Sequence, residues 1–495
     1  MLLGGYGGEP HPERLPGGRP AGVSHPGGDL TRAELRAQVS RAAHALAAHD
    51  GRRIAIEADD ALGGLCWFLG AELAGAAALI VEPTWTARER EAVLDDARPA
   101  AVVTGAVPTG PVPDVPAVGD ADTPFYLPTT SGSSGRPKVL VRSRRSWLDS
   151  FAALDLGLRA DDVVLIPGPL SSSLFLFGAV HTLHGGAGLR LLERWSVTEA
   201  AEACRTATVV HLVPSMIASL LPHLDPADCA LRLVVCGGAK ADPALRRRLE
   251  ATLPDCELVA YYGSAEHSFV AVDRGDGLRP VVEVEIRGGD VGRDGHEVGG
   301  GDEVGDGVRD GDEIRDGNAA RDGNEIRDGH AVRDGELWTR SGLVFDGYLD
   351  RGAVTWPADW HDGWSSVGDR AVLHDDGTLE ILGRSSAVLN SGGRIVSAEE
   401  VEEVLRGAEG VRDVLVAATP HPRLGDLITA VVEVGPAASP LAALRERART
   451  ALEPAKRPRR WLATAELPRT AAGKPARALV AERLRDGTLA AETLA

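Results

Sequence analysis

Between residues 35 and 262 the chain alternates amphipathic stretches with short, almost wholly apolar runs, and that alternation restricts it to one broad architecture. Leu35, Val39, Ala42, Ala43 and Leu46 recur at spacings of three and four, the stripe of a helix that buries one face. The runs 101–104, 162–166, 209–213, 231–236 and 258–262 show no polar–apolar alternation, and each is followed directly by Gly or Pro. Strands covered on both faces read this way, because neither face meets water. The expectation is an α/β fold with parallel-rich sheets flanked by helices. In such sheets ligands sit beyond the carboxyl ends of the strands, so the segments after these runs are where chemistry is sought.

A chain of 495 residues exceeds one ordinary domain; at about 150 residues per domain it holds roughly three units. Residues 1–28 are Gly/Pro-rich and are expected to form a disordered tail. Residues 29–384 read as a large domain, and a composition shift near Gly383 opens a small α/β domain over 385–495. That small domain carries a capping box, Ser397 with Glu400, before a helix over 399–405, and strands over 411–418 and 428–434. Residues 288–335 interrupt the large domain with RDG hexads at a six-residue period from Arg309. They read either as a solenoid or Asp/Gly calcium array, or as an expanded surface turn between strands over 281–286 and 336–338. Each hexad has at most two apolar side chains, too few to offset ordering entropy, which favours the turn.

Charge narrows the function. Lys plus Arg total 53 against 72 Asp plus Glu, a net charge of −19, whereas nucleic acids and anionic membranes select net basic surfaces. No run reaches the roughly 18 apolar residues of a membrane span, and the N-terminus lacks the basic and apolar regions of a secretory signal. Cys66, Cys204, Cys229, Cys236 and Cys256 are odd in number and form no CxxC, against a disulfide framework or a zinc ribbon. The expectation is a cytoplasmic protein with no nucleic-acid partner and no membrane span. Any anionic ligand must then be held by local cations and backbone N–H groups.

The segment 129–138, TTSGSSGRPK, follows the apolar stretch 125–127. Gly132 and Gly135 permit a tight turn, and the hydroxyls of Thr129, Thr130, Ser131, Ser133 and Ser134 can join backbone N–H groups around an anion. Arg136 and Lys138 add positive charge. The segment is not a Walker A loop, since GxxxxGK[ST] is not matched. Its competing reading, a flexible Ser/Gly linker, fits poorly with the apolar runs on both sides.

Further motifs make the pattern specific. Residues 130–138 are similar to [ST]SG[ST]TGxPK, YYGSAE at 261–266 to YGxxE, and GELW at 335–338 to GEL[WY]. VGD at 367–369 is similar to a GD signature and GR at 383–384 to a hinge GR. SGGRIVSAEEVE at 391–402 and PRTAAGK at 468–474 match two final signatures. In this order they resemble the adenylate-forming superfamily of acyl-CoA synthetases, luciferases and peptide-synthetase adenylation domains. The resemblance implies ATP and Mg²⁺ as cofactors, with coenzyme A or a carrier-protein thiol as acyl acceptor. It implies that Thr129, Thr130, Ser131, Gly132, Ser133, Ser134, Gly135 and Lys138 hold the triphosphate, and that Glu266 binds Mg²⁺. Tyr262, with Gly263 and Ser264, would sit at the adenine beside the turn Gly237, Gly238 and Ala239. Asp369 would take the ribose hydroxyls, assisted by Arg384. Lys474 would stabilise the charge shift at the α-phosphorus, with Glu266 and Thr130 as the other catalytic groups.

The implied reaction is activation of a carboxylic acid as acyl-AMP with release of pyrophosphate, then acyl transfer to a thiol. SGG at 391–393 with Arg394 would border a pantetheine tunnel, and Lys456, Arg457, Arg459 and Arg460 are candidates for coenzyme A phosphates or for a solvated charge run. Two departures stand out: Ser386 and Ala387 replace the acids of the usual GRxDD hinge, and Ala265 replaces a common hydroxyl. The stretch 168–184 has no acid to hold an α-amino group, which disfavours amino-acid substrates. Phe175, Phe177, Val180 and Val213 suggest an apolar acyl or aryl pocket, or core packing. His181 and His184, at i and i+3, read as a ligand pair or as structural histidines, the latter favoured. Two alternatives remain open: a biosynthetic enzyme adenylating another oxyanion such as nitrite for an arylamine acceptor, and a nucleotide-binding pseudoenzyme.

Overall fold

The apolar runs become the strands of two largely parallel sheets. The computed structural model describes residues 22–49, 51–85, 87–130, 137–288, 325–327, 330–357, 360–384, 388–391, 394–421, 425–435, 440–452, 454, 456–470 and 473–494. In the first sheet Glu257–Ser264, Leu233–Cys236, Val209–Leu212, Val163–Ile166, Gly188–Leu191 and Gly22–Ser24 run parallel. Leu30–Thr31 extends it antiparallel at one edge, and Ser268–Asp273 and Arg279–Pro280 at the other. The second sheet orders Ala101–Thr104, Arg53–Glu57, Ala77–Ile80 and Pro124–Tyr126 in parallel, closed by antiparallel Arg142–Ser143.

One continuous core joins these sheets. Helix Arg32–Leu46 buries Leu35, Val39, Ala42, Ala43 and Leu46, the stripe read from the sequence. Helix Ala61–Leu73 is apolar on nearly every face and buries nine of its residues, because it is enclosed between layers. The two helices touch at Gly70, where an added Cβ would lie 2.4 Å from the Ala42 Cβ.

Two expectations need correction. The N-terminal tail does not extend to residue 28: Gly22–Ser24 pairs in parallel with Gly188–Leu191, and Val23 is wholly buried. A three-residue strand held by backbone pairing leaves no periodicity to read; residues 1–21 lie outside the described set. The hexad segment is also not a turn throughout. Glu325–Arg327 folds back on His330–Arg340, which continues the sheet against Glu283–Arg287 and Asp369–Leu373. Hairpin hydrogen bonds need no apolar side chains, so the low hydrophobicity of the hexads did not forbid strands. Residues 289–324 and 328–329 lie outside the described set.

Beyond residue 388 a separate core gathers Leu389, Val396, Val401, Leu405, Val414, Val432, Leu444 and Trp461. Helix Ala398–Arg406 lies within a residue of its expected bounds, while strands Val411–His421 and Gly425–Val434 run longer and pair antiparallel. The side chain of Ser397 is outside the described set.

Candidate active site

Thr129–Thr130 and Lys138–Leu140 form a hairpin, with Thr130 opposite Lys138. Both ends of the segment 129–138 are therefore held in a strand pair. Ser131, Gly132, Ser133, Ser134, Gly135 and Arg136 lie outside the described set, so what is seen is the base of the loop. Lys138 is exposed there, its Nζ 4.8 Å from the centre of the Tyr348 ring. Tyr348 belongs to strand Tyr348–Asp350, which pairs with Lys138–Leu140 in the same four-stranded sheet.

Strand Glu257–Ser264 leaves the carboxyl edge of the large sheet and turns back through Ala265, Glu266 and His267 into Ser268–Asp273. The turn is tight: an added Cβ on Gly263 would lie 1.8 Å from the Ser268 carbonyl oxygen. Ser264 Oγ accepts from the His267 amide at 3.0 Å, and Ser268 takes a left-handed φ of 61°. Arg142 secures the turn from beneath, donating to the carbonyl oxygens of Ala265 at 2.7 Å and Leu343 at 2.5 Å. Burial pulls the Arg142 guanidinium down to about 10, with the Asp346 and Glu266 carboxylates acting in the opposite sense, so it stays charged at neutral pH. Glu266 is thus held buried, with the Tyr348 hydroxyl donating to its Oε1 at 3.1 Å. Its Oε2 is buried without a hydrogen-bond partner. A buried carboxylate oxygen in that state is costly unless something positive approaches it. A hard oxygen donor fits Mg²⁺.

Tyr262 and Asp369 meet: the tyrosine hydroxyl donates to Asp369 Oδ2. Asp369 is buried at the start of Asp369–Leu373, and Arg384 lies opposite it in register at the end of Leu379–Arg384. The pairing brings two residues fifteen positions apart in sequence to one sheet end. Of the Arg384 side chain nothing is described. Ser386 and Ala387 fall outside the described set.

Lys474 comes from the other core. After strand Leu233–Cys236 the chain turns through Gly237, Gly238 and Ala239, at the carboxyl end where the parallel sheet favours a ligand. Gly237 packs on the Tyr261 ring, where a Cβ would lie 2.2 Å from Cζ. Gly238 has φ +81°, and a Cβ there would lie 2.8 Å from Lys474 Cε and 3.2 Å from its Nζ. Val213 borders both Gly238 and Gly473, and a Lys240–Glu403 ion pair at 2.9 Å ties the lobes nearby.

Other candidates lie elsewhere. Phe175 and Val180 are wholly buried, Phe175 against Gly168, so core packing accounts for them. Phe177 is enclosed by Trp147, Phe151 and Phe269. His181 stacks on Phe151 at 4.8 Å and His184 lies tilted against the same ring at 5.0 Å, as structural histidines do. Lys456 is paired with Glu400 at 2.8 Å and Arg457 donates to backbone carbonyls, leaving exposed Arg459 and Arg460 from that cationic run. A His25, Asp60 and Glu193 cluster has metal-like composition. The Gly27 amide, however, donates to His25 Nδ1 at 3.0 Å, and the carboxylates accept the Ala61 and Gly63 amides at a helix start. A metal-bound histidine donates its second N–H instead. The cluster is a helix-capping clasp.

Sequence reading did not single out Arg142 or Tyr348. The first was signalled by an arginine directly after the apolar run VLV, the second by the tyrosine of FDGYLD.

Comparison with known proteins bears on this arrangement. The family described as AMP-binding enzyme matches residues 9–118 and 108–288, and the AMP-binding enzyme C-terminal domain matches 400–474. An uncharacterized acyl–CoA ligase, YhfT, of Bacillus subtilis is 29% identical over 475 residues, covering 88% of each chain. A salicylyl-CoA synthase / salicylate adenylyltransferase of Streptomyces sp is 29% identical over 72% of this chain and 62% of its own. Among solved structures, ATP-bound MatB of Rhodopseudomonas palustris superposes with a TM-score of 0.79 over 99% of each chain at 21% identity. The amide bond synthetase McbA of Marinactinospora thermotolerans gives 0.74 at 27% identity, over 94% of this chain and 97% of its own. Among the described residues no helix is long and apolar enough to cross a membrane.

Proposed function

The chain belongs to the AMP-binding enzymes and is an ATP-dependent, AMP-forming ligase of the acyl-CoA ligase type; from that premise we propose how its own residues carry the reaction. The acid's carboxylate oxygen attacks the α-phosphorus of ATP, the bond from that phosphorus to the bridging oxygen breaks, and pyrophosphate leaves. Two anions must meet, so the protein's task is to supply positive charge and to fix the geometry. The hairpin 129–138 takes the triphosphate, with Lys138 at its base. Glu266 would hold Mg²⁺ through Oε2, which supplies charge neutralisation at the phosphates when bound. Asp369 takes the ribose hydroxyls, with Arg384 beside it, and Tyr262 lies against the adenine while its hydroxyl orients Asp369. Lys474, over Gly238, donates to the oxygens between carboxylate and phosphorus, where charge shifts in the transition state. A thiol sulfur then attacks the acyl carbon and AMP leaves.

The observation that carries this reading is the convergence of Lys474 from the second core on the Gly237–Gly238–Ala239 turn. The acid we infer is apolar or aryl, on the lack of an acid in 168–184 and on Val213 beside Lys474. The acceptor is coenzyme A or a carrier thiol, with Arg459 and Arg460 the exposed cations of the run considered for its phosphates. Nothing in the relatives favours nitrite activation or a pseudoenzyme. The test is acid-dependent pyrophosphate release across aliphatic and aromatic acids, followed by thioester formation with coenzyme A. Lys474→Ala is expected to slow acyl-AMP formation by orders of magnitude while ATP affinity changes little. Equal loss of both would remove Lys474 from the transition state.

A further inference from the structure

We propose that Tyr348 is a positioning residue that orients the Glu266 carboxylate and seats the Lys138 ammonium, so that divalent-cation binding and triphosphate binding are set by one side chain. The inference rests on Glu266 as the cation ligand, the reading given above. Three contacts carry it. The Tyr348 hydroxyl donates to Glu266 Oε1 at 3.1 Å, its ring faces Lys138 Nζ at 4.8 Å, and its strand is paired with that of Lys138.

Each contact constrains a different group. With Oε1 engaged by the hydroxyl, the carboxylate cannot rotate freely, and Oε2 is the oxygen left buried without a hydrogen-bond partner. A cation–π contact attracts the lysine ammonium to the ring face. Tyr348 is itself fixed on two sides. The Phe345 amide donates to the Glu266 carbonyl at 2.8 Å, and the Phe345 ring packs edge-on against Tyr348 at 4.7 Å. Gly347 has φ +120° with Val354 and the Thr355 carbonyl too close for a side chain, so the turn that delivers Tyr348 has little alternative. A group held this way on both a cation ligand and a phosphate-loop lysine makes the two ligands favour each other, which is a coupling between sites.

The test uses the full chain and titrates a non-hydrolysable ATP analogue by calorimetry at graded Mg²⁺ and in chelator. Tyr348→Phe keeps the ring and removes the hydroxyl. It should raise the Mg²⁺ concentration for half-maximal coupling about tenfold, as expected for a lost hydrogen bond to a charged group. Its analogue affinity in chelator should stay near that of the parent protein. Tyr348→Leu removes both contacts and should weaken analogue binding in chelator as well. In pyrophosphate exchange the effect should fall mainly on the Mg²⁺ and ATP dependence, with a smaller factor in kcat. Wild-type Mg²⁺ dependence in Tyr348→Phe would overturn the orienting role, and identical behaviour of the two variants in chelator would overturn the lysine seat. Glu266→Gln separates the two levels of argument. If it keeps Mg²⁺ dependence, the cation assignment fails; if it loses it while Tyr348→Phe does not, only the inference about Tyr348 fails. Because Tyr348→Phe is close to isosteric, it decides the matter even if Tyr348→Leu does not fold.

Discussion

Replacing Gly238 with Ala would strain the candidate site in two separable ways. The first is local: φ is +81°, and an L-residue in that region costs about 1–2 kcal/mol. The second reaches across the lobes. The new methyl would lie 2.8 Å from Lys474 Cε, whereas carbon atoms rest at about 3.5–4.0 Å. The lysine must therefore retreat by roughly 1 Å, and displacement of a reacting group on that scale costs about a hundredfold in rate. Pre-steady-state pyrophosphate release measures acyl-AMP formation, and calorimetry with an ATP analogue measures binding. Gly238→Ala should lose about two orders of magnitude in the first, with a drop of a few degrees in melting temperature from the backbone strain. A cycle with Lys474→Ala isolates the cause. If Gly238→Ala acts through the lysine, it should add almost nothing to the rate loss of Lys474→Ala, yet still lower the melting temperature. Multiplicative rate losses would refute the placement of Lys474 over the turn, as would wild-type turnover by Gly238→Ala.

Further outcomes follow from burial and charge. Burial pushes His181 down to about 4 and His211 down to about 3, from 6.5, so both fold as neutral rings. The unfolded chain takes up their protons first, so stability should be complete well above pH 6.5 and fall as pH drops through it towards 4 for His181 and towards 3 for His211. His181→Phe should flatten that fall by roughly 3 kcal/mol in denaturant melts, and an unchanged pH profile would show that the ring is not buried neutral. Arg144 is wholly buried with its Nε 2.7 Å from Glu72 Oε1, so Arg144→Met strands a buried carboxylate and should cost about 3–5 kcal/mol by chemical denaturation. Glu72→Gln in that background should recover part of the loss; no recovery would mean that the cost lies in packing alone. By contrast, Lys240 and Glu403 are about half exposed, and Glu403→Gln should change stability by no more than about 1 kcal/mol, with the difference screened out in high salt.

Much of the large domain was readable because its strands are buried on both faces. Solvent exclusion forces consecutive apolar residues at 163–166 and 233–236, and no other element of that length needs them. The helix stripe of Leu35, Val39, Ala42, Ala43 and Leu46 was legible for the same reason, since one face must leave water. Where backbone hydrogen bonds rather than side-chain burial make the element, the reading failed. Gly22–Ser24 and Glu325–Arg327 are strands by pairing: the first has its partner 166 residues away, which leaves no local mark, and the second pairs with the adjacent 330–332 through backbone hydrogen bonds that need no apolar pattern.

Within the site, local order gave the apolar runs that flank the segment 129–138, while the tight turn at Gly263, where a Cβ would overlap a carbonyl oxygen, emerged only in the fold. The sequence alone therefore determined the chemistry on offer: hydroxyls and a lysine on one loop, a glutamate on a turn, an aspartate before a strand and a lysine near the end of the chain. Only the folded chain decided their company. Tyr348 between Glu266 and Lys138, Arg142 under the Ala265 carbonyl, and Lys474 against Gly238 join residues from 82 to over 200 positions apart through contacts of 2.7 to 4.8 Å. Distances of that kind are set by sheet register and by the meeting of two cores, quantities that no local window of sequence contains.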